Sequence, residues 1–223
     1  MRQKGRMTTL SADLYFSFRS PYSYLAIGRY RAMAEEHDLE INLRVVWPIA
    51  IRDPDILFTG NPAAPRYILM DSFRVAEHLG IPYRWPRPDP VAQDLTTREI
   101  AKEQPLIHRI CRLGQAASRR GKGLAFADEV SKLIFSGEVD GWHEGDHLAA
   151  AADRAGLDLT ELDAEGKSDA DALDAEIAAN QDALEAAGHW GVPTLVFEGE
   201  PFFGQDRVEL AQWRMEQKGM TKR

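Results

Sequence analysis

Ser20-Pro21-Tyr22-Ser23 has the outline of a Cys-Pro-x-Cys redox site with an oxygen where each sulfur would stand. A hydroxyl cannot exchange disulfides, but it can donate a hydrogen bond to an anion. The setting favours that use, because Pro21 suits the first position of a helix and Ser20 the cap before it. A helix N-terminus presents free backbone N–H groups and the positive end of the helix dipole, where a thiolate or another anion is stabilised. Taken alone, the segment also has a plain structural account as an N-cap.

Two further segments carry residue types suited to a ligand. In Trp190-Gly191-Val192-Pro193-Thr194 a proline opens what reads as a central strand, a place that ordinarily rejects it. A cis Val192–Pro193 bond would free the N–H and C=O of Val192 to pair with an extended peptide. An ordinary trans proline entering a strand is the alternative. In Phe203-Gly204-Gln205-Asp206-Arg207, N–H groups at a helix start could hold a carboxylate while Asp206 takes an ammonium group. Together these would fit the amino-acid end of a ligand, and a simple Asp cap is the alternative.

The elements that must position these residues follow from apolar spacing. Residues 11–16 read as a strand, 22–37 as an amphipathic helix and 39–46 as a second strand stopped by Trp47-Pro48, so the pair should be parallel. Helical patterns then cover 65–79, 94–120, 124–135, 146–155 and 169–187. Strand signals return at 194–197 and 201–203 across a tight turn at Glu198-Gly199-Glu200, and a last helix spans 206–217. The order βαβ, helical insert, ββα is that of an α/β thioredoxin-like fold split by an all-helical domain. Residues 10–60 and 189–223 would form the thioredoxin-like part and 61–188 the insert, which needs only its two ends close together.

The chain has 223 residues, 44% hydrophobic and 28% charged, enough for one sizeable core. Twenty-seven basic against 35 acidic residues leave a net charge of −8, which argues against nucleic acid or an anionic membrane as partner. Asp13 interrupts the only apolar run after the basic start MRQKGRMTTL, so neither a signal segment nor a membrane span can be drawn there. A lone Cys111 excludes an intrachain disulfide and fits a reducing compartment, the cytoplasm. His143-Glu144-Gly145-Asp146-His147 matches the zinc pattern HExxH, but Gly141 and Gly145 place it in a turn, so no metal site is expected. The run 158–185 holds ten acidic residues and one lysine, and Arg109, Arg112, Arg119, Arg120 and Lys122 gather on one helix. Each reads as a solvated charged face, with a local positive field for an anionic substrate as the alternative for the basic cluster.

In their order along the chain, Ser-Pro at the first helix, Gly-Val-Pro-Thr before the third strand and Phe-Gly-Gln-Asp-Arg at the last helix resemble a known family. They are similar to the 2-hydroxychromene-2-carboxylate isomerases and the related kappa-class glutathione transferases, of the DsbA-like thioredoxin superfamily. Residues 14–25 and 190–210 carry the likeness, which extends to Gly60-Asn61-Pro62 and 67–82; between 83 and 188 only helical character is shared.

The resemblance implies a glutathione site. Ser20 would stabilise the thiolate, Asn61 match an asparagine of the site, and Val192, before Pro193, pair with the cysteinyl backbone. Gly204, Gln205 and Asp206, followed by Arg207, would grip the γ-glutamyl end, and Tyr67 and Asp71 match lining positions. A lysine of the relatives falls on Ala64 here, with Arg66 close by. The implied activity is a glutathione-dependent isomerisation of a small aromatic or conjugated electrophile, in a homodimer. A kappa-like transferase or peroxidase and a non-catalytic binding protein are the alternatives.

Overall fold

The computed structural model of the protein describes residues 9–53, 63–94, 97 and 99–223. Strand β1 (Leu10–Phe16), helix α1 (Pro21–Glu36) and strand β2 (Leu39–Val45) make a parallel unit, in register from Leu10 opposite Leu39 to Phe16 opposite Val45. Strand β3 (Thr194–Phe197) runs antiparallel to β1, and β4 (Glu200–Phe203) antiparallel to β3. The sheet order β2-β1-β3-β4 makes β3 central, as its apolar sequence requires. This is the expected thioredoxin-like α/β arrangement with helices inserted between β2 and β3.

The inserted helices are α2 (Ile49–Arg52), α3 (Ala63–Leu79), α4 (Pro105–Arg119), α5 (Gly123–Phe135), α6 (His147–Arg154), α7 (Leu159–Ser168) and α8 (Ala170–Ala186). A short 3-10 turn (Gln205–Arg207) leads into α9 (Val208–Gln217). Among the described residues no helix is long and apolar enough to cross a membrane.

Three differences from the sequence reading have physical causes. Residues 99–104 are not helical, although one helix over 94–120 is expected. Pro105 disfavours helical backbone at the residue before it, and Gln104 sits at φ −128, ψ 58. The Gln104 side chain instead ties the loop together, accepting from Ala92 N at 2.8 Å and donating to the carbonyls of Ala92 and Ala101. Helix α7 forms where only charge was visible, because Asp158 caps it by accepting from the N–H groups of Thr160 and Glu161. The two charged runs, expected as solvated faces, meet each other. Arg109 pairs with Asp163 at 2.7 Å, Arg112 with Asp174 at 2.6 Å, and Arg119 with Glu176 at 2.6 Å.

One buried cluster runs from the sheet, through Leu14, Phe16, Leu43 and Leu195, into Ile110, Phe126, Leu148 and Ile177 of the inserted helices. Cys111 lies within it, fully buried on α4. The buried Asn180 amide on α8 donates to Val45 O at 2.9 Å, pinning that helix to the end of β2.

Phe18 is fully buried, edge-on to Phe16 at 5.1 Å and to Phe126 at 6.1 Å. A Cβ on Gly114 would lie 2.4 Å from the Phe18 ring and 3.3 Å from Val45 Cγ2. Alanine is the better helix former by about 1 kcal/mol, but overpacking a filled core costs about 1–3 kcal/mol. Gly114→Ala is therefore expected to lower stability by about 1 kcal/mol in urea unfolding, against its helix propensity.

Candidate functional site

β1 leaves the sheet at Phe16, and residues 17–19 carry the chain to the start of α1. Ser20 caps that helix in extended conformation, φ −83 and ψ 117, and its Oγ accepts from Ser23 N at 3.2 Å. That bond orients the hydroxyl. Its single proton is donated toward Val192 O at 3.4 Å, long for an O–H···O bond, so an anion arriving there would capture it. Behind the hydroxyl stands a 16-residue helix whose dipole favours negative charge at this end.

The Val192–Pro193 bond is cis. Among the described residues nothing accepts from the Val192 N–H, and the Val192 C=O meets only the Ser20 hydroxyl. A backbone donor and acceptor thus stand beside Ser20, ready for an extended segment of ligand. Pro193 O accepts from Gly204 N at 2.9 Å, which ties the third segment to the second. Gly204 adopts φ 110, a conformation that glycine alone reaches freely, and it turns the chain into the Gln205–Arg207 helix start.

Ser20 and Val192 open into one cavity of about 660 Å³. Its apolar wall comes from Ile49, Ile68, Leu69, Phe73, Trp85 and Phe203, with Trp190 at the mouth. Its charged part is Arg19, Asp89, Arg52 and Arg66. Arg19 is neutralised: its Nε and Nη2 meet the Asp89 carboxylate at 2.9 and 2.8 Å, and Nη2 also reaches Gln93 at 2.9 Å. Arg52 is different. Its Nη2 donates to Trp190 O, its Nε is buried without a partner among the described residues, and burial pushes its pKa down. A cationic, under-coordinated guanidinium beside an apolar wall suits a flat hydrophobic molecule that carries an anionic group.

The other expected residues divide. Tyr22 lines the cavity and its hydroxyl donates to Asp71 at 2.8 Å, so Asp71 stands behind Tyr22. Burial, and then that carboxylate, push the phenol up and keep it neutral. Tyr67 does not line the cavity: it is 53% exposed, with Arg74 over its ring at 6.0 Å. The Gln205 side chain accepts from Arg29 Nη2 at 3.1 Å, and the Gln205 carbonyl takes the same nitrogen. Asp206 holds the Arg207 guanidinium at 2.6 Å on an exposed edge, a cation where an ammonium group was expected. Asn61 lies outside the described residues.

Arg19, Arg52, Trp85 and Asp89 escaped the reading of the sequence. Arg19 and Asp89 are 70 positions apart, and no local periodicity couples them. The one usable signal is the stretch Trp85-Pro86-Arg87-Pro88-Asp89-Pro90, whose prolines forbid a helix and mark a loop held by its scaffold, where functional residues concentrate.

A family model described as a DSBA-like thioredoxin domain matches residues 12–216. Among solved structures, a 2-hydroxychromene-2-carboxylate isomerase aligns with TM-score 0.67 and 21% identity over 93% of this chain and 95% of its own. A probable DsbA oxidoreductase from Streptomyces coelicolor gives 0.62 and 19% over 93% and 89%. The cytosolic disulfide reductase DsbM from Pseudomonas aeruginosa, solved with GSH, gives 0.55 and 15% over 93% and 100%. At these identities the likeness is one of fold. No curated protein matches the chain in sequence.

Proposed function

The chain belongs to the DSBA-like thioredoxin family, and from that premise we propose that it is a glutathione-dependent isomerase of the 2-hydroxychromene-2-carboxylate type. The observation that carries this reading is the pairing of the Ser20 hydroxyl with the free backbone edge of Val192 in one cavity, in a chain whose only cysteine is buried elsewhere. A thioredoxin-like site without its own thiol retains everything needed to hold a thiolate supplied from outside.

Glutathione, when bound, would supply a thiolate nucleophile for reversible addition to a conjugated double bond. The residues of the chain hold and steer. Ser20 and the α1 N-terminus stabilise the negative charge on sulfur, each pKa unit amounting to about 1.4 kcal/mol. Val192, next to Pro193, pairs with the peptide backbone. Gly204, Gln205, Asp206 and Arg207 receive the γ-glutamyl end, which requires Arg207 to release Asp206. The wall of Ile68, Leu69, Phe73 and Trp85 takes the aromatic body of the electrophile, and Arg52 its carboxylate. In this reading residues 10–60 and 189–223 are the thioredoxin-like part, the helices of 61–188 cover the cavity, and the protein works as a cytoplasmic homodimer.

The test is spectrophotometry with 2-hydroxychromene-2-carboxylate at several glutathione concentrations, alongside thermal unfolding. Interconversion at substoichiometric glutathione, without loss of thiol, is expected. A ligand at about 100 times its Kd should stabilise the fold by about 2.7 kcal/mol. Loss of thiol in step with the electrophile would make the protein a transferase, and no stabilisation at millimolar glutathione would end the glutathione reading.

A further inference from the structure

We infer that His189 is a positioning residue, whose ring nitrogen Nδ1 holds the Trp190–Gly191 peptide and thereby presents the backbone edge of Val192 to the cavity. The role rests on the proposed use of Val192 in binding glutathione.

Three side chains grip the turn before Val192. The Gly191 N–H donates to His189 Nδ1 at 2.9 Å, and Arg52 Nη2 donates to Trp190 O, the carbonyl of that same peptide unit. The next unit is held by Thr194, fully buried, whose Oγ1 donates to Gly191 O at 2.7 Å. With both neighbouring units engaged, the first donor left free among the described residues is the Val192 N–H, and among them the Val192 C=O is shared only with Ser20. The imidazole itself is held by two aromatic neighbours. One face lies on Phe203 at 4.0 Å and 21°, and the near-parallel Trp190 ring flanks it at 5.6 Å and 15°, while Nδ1 is aimed at the Gly191 N–H.

Nδ1 accepts only while it carries no proton. Protonation turns the acceptor into a donor facing another donor and releases the peptide. The charged groups around the ring bear on this. Arg52 of α2 faces it, Asp53 and Glu185 act on Arg52 in turn, and the stacked residue of β4, Phe203, carries no charge. Burial is the largest influence and, with Arg52, holds the His189 pKa below its ordinary value, against the Gly191 backbone, which favours the charged ring. The hydrogen bond is thus present above that lowered pKa and is lost as pH falls through it.

The test measures two quantities between about pH 5 and 8: the exchange protection of the Gly191 amide in the free protein, and the affinity for glutathione. His189→Phe keeps a flat ring but removes the acceptor. It should reduce Gly191 protection and weaken glutathione about five- to tenfold across the range, the worth of one hydrogen bond. His189→Asn places Oδ1 where Nδ1 stood. It should restore both quantities and abolish the weakening on the acid side that the wild type shows. Unchanged Gly191 protection in His189→Phe, or acid-side weakening that survives in His189→Asn, would overturn the role. If wild-type protein fails to bind glutathione, the functional reading fails, while Gly191 protection still decides whether His189 holds the turn.

Discussion

Ser20→Ala is expected to lower glutathione-dependent turnover by about 10²–10³-fold while the protein stays folded. The magnitude is that of removing one preorganised donor from an anion in a partly enclosed site. Ser20 has two bonds to lose. As N-cap it accepts from Ser23 N, and that loss should reduce stability by about 1 kcal/mol. As donor it faces the cavity beside Val192, and under the proposed function that loss falls on the bound thiolate alone. The two effects separate experimentally. Urea unfolding reads the cap, while the pH dependence of turnover reads the donor, because the bound thiol should titrate at higher pH in the variant. KM for the electrophile should change little, since Arg52 and the apolar wall are untouched. Wild-type turnover in Ser20→Ala would remove Ser20 from the mechanism.

Asp89→Ala should produce the largest change in stability, a loss of about 2–4 kcal/mol. Arg19 and Asp89 are 11% and 16% exposed and joined by two hydrogen bonds, so truncating the acid strands a nearly buried guanidinium. Breaking a fully buried pair costs about 3–5 kcal/mol, and the residual exposure here trims that figure. Gln93 and the Trp85 ring, 5.7 Å from the guanidinium, remain as partial partners. Arg19→Met combined with Asp89→Ala should be less damaging than the sum of the single changes, by about 1–3 kcal/mol in a double-mutant cycle. Strictly additive values would show that the pair contributes no coupling. Because Ser20 follows Arg19 directly, the Asp89→Ala protein should also lose turnover, through displacement of the helix start.

The sequence and the structure agree where information is local. Strand alternation and helical spacing located β1, α1, β2, β3 and α9 to within a few residues, because the stretches that bury those elements are short and apolar. Ser20 is legible as a cap from Pro21, whereas Pro193 leaves cis and trans open in the sequence and only the fold shows the bond to be cis. What escaped depends on which segments meet in space. The basic face of α4 looked solvated until α7 and α8 supplied its partners, and the acidic run looked solvated for the same reason. Arg52 lies on a four-residue helix too short to register as a pattern, and only the fold shows that it reaches Trp190. Tyr67, to which the family motif gives a lining role, lies on α3 with its ring half exposed.

Cys111 is sealed inside the core on α4, and burial pushes its thiol well above the ordinary range, so the folded chain offers oxidants no accessible cysteine sulfur. The protein therefore keeps no record of oxidative stress at a thiol of its own. Under the proposed glutathione-dependent function, the protein would sense redox conditions only as a concentration, that of the reduced tripeptide. On that reading the rate would fall when the pool is depleted and return at once when it recovers, with no bond on the polypeptide to repair.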